Sequence, residues 1–228
     1  AYLKAHYPAE YMAALMTRRF SQITEITKLM EECQSMNIKT LGPDVNESYR
    51  AFGVNEHGEI RFGLSAIKGM GTPAADAIVA EREKNGPYKD IFDFAQRVDF
   101  SNVNRKAFES LALSGGFDSF GIPRENFFAV NNKNEMFLDT LVRYGQLYQR
   151  EQHEAVTSLF GGLDAIEIAT PPIPHAEGWS TIERLNKERD LVGIYLSAHP
   201  LDDYSVVLNS MCNTHCAELG DKPSLAKK

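Results

Sequence analysis

Ile67-Lys68-Gly69-Met70-Gly71-Thr72-Pro73-Ala74-Ala75 is the stretch on which the reading of this chain turns. Two glycines one residue apart carry no Cβ to shield the main chain or bar positive φ, so the backbone can turn tightly and expose its amides. Thr72 sits where an N-cap belongs, and Pro73 takes the first helical position, where a missing N–H costs nothing. A helix is expected from 73 to about 84, stopping before Gly86. Its free amides and the positive end of its dipole face the turn, and Lys68 adds a full charge, so the pattern is that of a phosphate site in a helix-hairpin-helix unit. Gly-x-Gly also occurs in ordinary tight turns, and a lone match decides nothing.

A second turn-and-helix unit lies at 92–117. Asn104-Arg105-Lys106 opens a helix whose Phe108, Leu111, Ala112 and Ser114 precede Gly115-Gly116-Phe117-Asp118. Two such units in tandem can face successive phosphates across a minor groove, which points to duplex rather than a single anion. The alternative is that Arg105 and Lys106 are a solvated helix start.

The rest of the composition bounds this reading. With 228 residues, 43% of them hydrophobic, the chain can bury the core of one large domain or two smaller ones. A formal charge of −7 argues against a wholly basic surface, yet 61–106 holds eight Lys and Arg against six Asp and Glu. A small local excess suits contacts to a few phosphates. No apolar run approaches the roughly 18 residues of a membrane span. The start, Ala1-Tyr2-Leu3-Lys4-Ala5-His6, has neither a signal-peptide core nor an initiator methionine, and an excised fragment is expected. Cys33, Cys212 and Cys216 make no disulfide framework and suit a reducing, cytoplasmic compartment. A metal site at Cys212, His215 and Cys216 would lack the second Cys/His pair that tetrahedral zinc needs. His6, His57, His153, His175 and His199 have no acid or nucleophile at telling spacing, and read as structural or solvated.

Helices are expected at 8–18 and 22–36, the second capped by Ser21 and apolar at Ile23, Ile26, Met30 and Cys33, the two packing as a helical hairpin. Tyr2, Tyr7 and Tyr11 fall at helical spacing and read as packing. A small β-hairpin is expected at 46–62 around Asn55-Glu56-His57-Gly58. Short helices follow through 120, separated by Asn85-Gly86-Pro87 and Asp99-Phe100-Ser101-Asn102. One long helix is expected at 125–153, then a linker at Gly161-Gly162 and Pro171-Pro172-Ile173-Pro174, then a last helix at 180–196 ending near His199-Pro200.

Five blocks in order resemble the bacterial replicative DNA polymerase III alpha subunits: AYLKAHYPAEYMAALMT at 1–17, Gly42-Pro43-Asp44-Val45-Asn46, FGLSAIKGMG at 62–71, Asn104-Arg105-Lys106 with Ser114-Gly115-Gly116-Phe117-Asp118, and ERDLVGIYLSAHPL at 188–201. The resemblance implies a mainly α fold, with the end of a helical fingers region, tandem helix-hairpin-helix units and one small β-hairpin. It implies segments at 1–63 (end of fingers), 64–120 (hairpins), 121–177 (long helix, docking peptide, linker) and 178–228 (connection toward an oligonucleotide-binding fold). The family's palm, with its acidic residues and paired Mg2+ ions, should lie outside this chain, which has no matching Asp-x-Asp constellation and should be inactive alone. Primer-template duplex would meet Lys68, Gly69, Met70, Gly71, Thr72, Asn104, Arg105 and Lys106.

The resemblance also implies a peptide that docks on the ring-shaped sliding clamp. Val156-Thr157-Ser158-Leu159-Phe160 occupies its place, with Val156 where a glutamine is usual. Leu159 and Phe160 would fill an apolar pocket, or else cap the preceding helix against the core. Other holoenzyme subunits would be reached through the parent protein. Two rival readings stand beside this one. In a helix-hairpin-helix DNA glycosylase, Asp90 or Asp93 would act at a flipped base; in a pure interaction module, the hairpins would be scaffold only.

Overall fold

The computed structural model describes residues 2–20, 22–131, 133–157 and 168–211. A short helix α1 (Tyr2–His6) leads into α2 (Pro8–Arg18), which buries Ala9, Met12, Ala13 and Met16 along one face. The next helix, α3 (Ile23–Ser35), packs on α2 and turns Ile26, Met30 and Cys33 into the same core. These two form the expected helical hairpin. Ser21 lies outside the described residues, and Gln22 is the cap position of α3 without a side-chain bond. Of the three tyrosines read as packing, Tyr11 is partly buried against the core, but Tyr2 and Tyr7 are 68% and 55% exposed. The reason is that α1 buries none of its residues, and Tyr2 lies against His6 instead.

The expected β-hairpin forms, with β2 (Gly53–Val54) antiparallel to β3 (Ile60–Arg61). Asn55 closes its turn by accepting from the N–H groups of His57 and Glu59. A third strand was not expected: β1 (Thr40–Leu41) pairs parallel with β3, giving the order β1-β3-β2. Two residues are too few to show an alternating pattern, so this strand is made by its partner rather than by its own sequence.

Helix α4 (Thr72–Asn85) ends at Gly86, whose φ of +83° stops it as expected. Asp90 caps α5 (Ile91–Arg97) and Asn104 caps α6 (Arg105–Ser114), which Gly115 closes in the left-handed region. Their inward faces meet in an aromatic core: the Phe94 ring lies 5.3 Å from Phe108 and 5.0 Å from Phe117, both edge-on.

The long helix expected at 125–153 is not continuous. A 3-10 turn at Arg124–Phe128 and an isolated bridge between Val130 and Met136 come first, and α7 (Phe137–Thr157) starts later and runs further. Asn131 accounts for the break, since its side chain accepts from Lys133 and Glu135 in a local turn, and Asn134 has a φ of +59°. The last helix of this part, α8 (Thr181–Val192), is capped by Ser180 and stops at Gly193 rather than near 196. The chain separates into one compact unit reaching Ser197 and a second beginning at Ala198, which holds α9 (Ser205–Met211).

Candidate nucleic-acid interface

The Lys68–Thr72 turn is anchored by two buried apolar side chains, Ile67 and Met70, and by the hydrogen bond from Met70 N–H to Ile67 carbonyl at 3.0 Å. Gly69 has φ +89°, which an L side chain rarely adopts, and a Cβ there would lie 2.6 Å from Ser110 Oγ. The peptide groups of Lys68 are held from both sides: its N–H donates to the Leu191 carbonyl of α8, and its carbonyl accepts from Ser110 Oγ of α6, each at 3.0 Å. Among the described residues, the N–H groups of Gly69, Gly71 and Thr72 meet no acceptor. Gly71, not Thr72, is the cap position of α4; having no side chain, it leaves the helix's first amides open, while Thr72 is already helical and Pro73 follows in the first turn. Open amides and the positive end of a 14-residue helix are the chemistry that can accommodate an anion at this turn.

Helix α6 brings the second set of residues to the same place. Asn104 is spent as a cap, its side chain accepting from Ala107 N–H. The aliphatic stem of Lys106 lies against Gly69, 3.4 Å from where a Cβ would be. Arg105 differs: Asp139 and Glu109 both pair with it, and the hydrogen bond to Asp139 raises its pKa further above that of a free guanidinium. Its charge is largely answered before any ligand arrives.

That division runs through the whole basic segment. Arg61 pairs with Glu47 and donates to the Gly42 carbonyl. Arg82 is buried and donates to the Val45 and Ser48 carbonyls at 2.8 Å each. Arg97 binds Glu81 and Asp93 and lies over the Tyr88 ring. The four arginines of 61–106 therefore hold elements together, whereas Lys68, Lys84, Lys89 and Lys106 are exposed and, among the described residues, in no ion pair. An extended ammonium on a flexible stem is the available cation here, and the planar guanidiniums serve the fold.

The two aspartates that a glycosylase would need are structural. Asp90 caps α5 by accepting from Phe92 and Asp93 N–H, and Asp93 accepts from Lys89 N–H and Arg97. Among the described residues no group of three or more His, Cys, Asp or Glu could hold a metal ion. Cys212, His215 and Cys216 lie outside the described residues, as do Ser158, Leu159 and Phe160. Val156 and Thr157 close α7.

Ser110 and Leu191 were not among the expected site residues, and no local signal marks them. A serine inside an apolar helix and a backbone carbonyl 123 positions beyond the turn become relevant only on folding. The Gly42–Asn46 block had a signal without a role; Asn46 exchanges hydrogen bonds with the main chain of Tyr88 in the α4–α5 connection, and Val45 N–H donates to the Gly116 carbonyl just past α6.

A family model described as a helix-hairpin-helix motif matches residues 37–127, which include the turn, α4, α5 and α6. Three similar proteins each bear the name DNA polymerase III subunit alpha. The one from Chlamydia trachomatis serovar D is 40% identical over 208 residues, 89% of this chain and 16% of that protein. The one from Pasteurella multocida is 39% identical over 207 residues, 89% of this chain and 17% of that protein. The Haemophilus influenzae protein is 37% identical over 225 residues, 96% of this chain and 18% of that protein. The chain thus spans about one sixth of the length of these relatives. Along nine tenths of its own length, with the hairpin motif at its centre, the chain is homologous to one segment of proteins named DNA polymerase III subunit alpha.

Proposed function

We propose that this segment grips primer-template duplex by its phosphates, without reading bases, within a replicative DNA-directed DNA polymerase. The observation that carries the reading is the turn itself, where three amides without an acceptor among the described residues stand beside the ammonium groups of Lys68 and Lys106, which form no ion pair among those residues. A phosphate oxygen accepts from main-chain N–H, and the lysines neutralise charge and release counterions. Main-chain amides see only the backbone of the duplex, so the grip carries no sequence preference. Because Lys68 is already fixed on both sides, little chain order is lost when a phosphate docks.

In this reading the chain is non-catalytic. Nucleotidyl transfer and its Mg2+ ions belong to a palm outside it. Leu159 and Phe160, just past the end of α7, dock on the sliding clamp, and other holoenzyme subunits are met through the longer protein, in the cytoplasm. No described helix is long and apolar enough to cross a membrane.

The test is equilibrium binding of this chain to primer-template duplex across a salt series. Binding that is indifferent to sequence, weakens with salt, and is lost in Lys68→Ala/Lys106→Ala supports the phosphate grip. No binding at low salt would reject it and leave clamp docking through Leu159 and Phe160 as the main role; cleavage of damaged duplex would restore the glycosylase reading.

A further inference from the structure

Glu188 of α8 is 1% exposed, and both its carboxylate oxygens are fully engaged. Oε1 accepts from the N–H groups of Leu196 and Ser197 at 2.7 and 2.9 Å, and Oε2 accepts from Ser197 Oγ at 2.7 Å and Arg124 Nη1 at 2.8 Å. Arg124, itself buried, also donates to both oxygens of Asp118 and to the Leu113 carbonyl. Its guanidinium fills the space beside Gly115, where a Cβ would come within 2.3 Å of Nη2. The carboxylate is therefore tied through Arg124 to the C-terminal end of α6.

The same two helices hold the hairpin turn, α8 through the Leu191 carbonyl and α6 through Ser110 Oγ, each bonded to Lys68. Lys106 rides on α6. Whatever fixes α8 relative to α6 thus fixes where Lys68 and Lys106 stand relative to the open amides. A buried carboxylate-guanidinium pair with every lone pair used does this with direction, since each hydrogen bond has a preferred angle where apolar contact has none.

We propose that Glu188, acting through Arg124, is a positioning residue for the phosphate turn, setting the placement of α8 against α6 and so the geometry of Lys68 and Lys106. It touches no ligand. The DNA consequence rests on the phosphate-grip reading, but the order of the turn can be read without DNA.

The experiment compares wild type with Glu188→Gln, Ser197→Ala and Lys68→Ala by amide hydrogen exchange and by duplex binding across salt. Glu188→Gln keeps the shape and removes the charge; Ser197→Ala removes one of the four hydrogen bonds and leaves the ion pair, so it stays informative if the first variant fails to fold. Exchange at the Lys68 and Met70 amides, both hydrogen-bonded in the native turn, is expected to quicken about tenfold or more in Glu188→Gln and less in Ser197→Ala. Exchange at Ile38, which caps the distant α3 by bonding to Cys33, should stay unchanged. Duplex affinity should fall about tenfold in Glu188→Gln with the salt slope kept, whereas Lys68→Ala should lower the slope by about 1. Native exchange at Lys68 and Met70 in both the Glu188 and Ser197 variants would overturn the proposal. If wild type binds no duplex, the phosphate-grip reading fails while the exchange data still decide the positioning role.

Discussion

Ser110 Oγ on α6 donates a 3.0 Å hydrogen bond to the carbonyl of Lys68, a residue 42 positions earlier in the chain. The helix that carries Lys106 therefore also holds the turn that carries Lys68. Two stretches that look like separate motifs form one surface.

The two glycines of the turn should respond unequally to substitution. Gly69→Ala forces a Cβ onto a φ of +89° and toward Ser110, and should cost about 1 to 3 kcal/mol of stability in a urea titration. Gly71→Ala places its Cβ in ordinary contact, 3.6 Å from Pro73 Cδ, at a φ of −78°, and should change stability by less than about 1 kcal/mol. Equal losses at both sites would show that the turn is not shaped as described.

Neighbouring cations should contribute unequally to duplex binding. Lys106→Ala is expected to lower the slope of log K against log salt by about 1, as one phosphate contact is lost. Arg105→Ala should change it much less, because Asp139 and Glu109 already share its charge. Fluorescence anisotropy with a labelled duplex measures both, and a larger effect at Arg105 would reverse the assignment.

Packing of α5 on α7 depends on Gly145. A Cβ there would fall 2.2 Å from the Ala95 carbonyl oxygen and 2.6 Å from Phe100 Cζ, so Gly145→Ala must push the helices apart. Despite alanine's better helix propensity, the variant should lose about 1 to 3 kcal/mol in chemical unfolding. A stabilised variant would mean that the helices are not in this contact.

Burial pushes the Cys33 thiol up to about 11, with the Glu32 carboxylate adding to the shift. The native state keeps the proton that the unfolded chain gives up first, so this group costs no stability below about pH 8.5 and progressively more as pH rises toward 11. Thermal melts of wild type and Cys33→Ala compared between pH 8 and 10 should show wild type losing stability more steeply. The native thiol should also resist a water-soluble disulfide reagent at pH 8, a reaction that needs thiolate and access.

What the sequence by itself determined was local. Helix α2 is found at its expected residues, and α4 and α6 start and stop within about a residue of expectation, because proline, capping asparagine and positive-φ glycine act on the residues next to them. The same holds for the Asn55 turn and for the family, since the matching blocks are contiguous words. The break before α7 is written in Asn131 and Asn134, which the single long helix expected over 125–153 passed over.

Only the tertiary structure decided what those elements do together. Strand β1 exists because β3 offers it hydrogen bonds, and Lys68 is fixed because α6 and α8 approach it from far along the chain. Charge shows the difference most plainly. Arg105 and Lys106 are adjacent and equivalent as letters, yet one turns to Asp139 and the other lies along Gly69, so that only the second keeps its charge for a ligand. Sequence sets which residues can bend, cap or carry charge within a few positions; which charges stay free depends on partners that come close only when the chain folds.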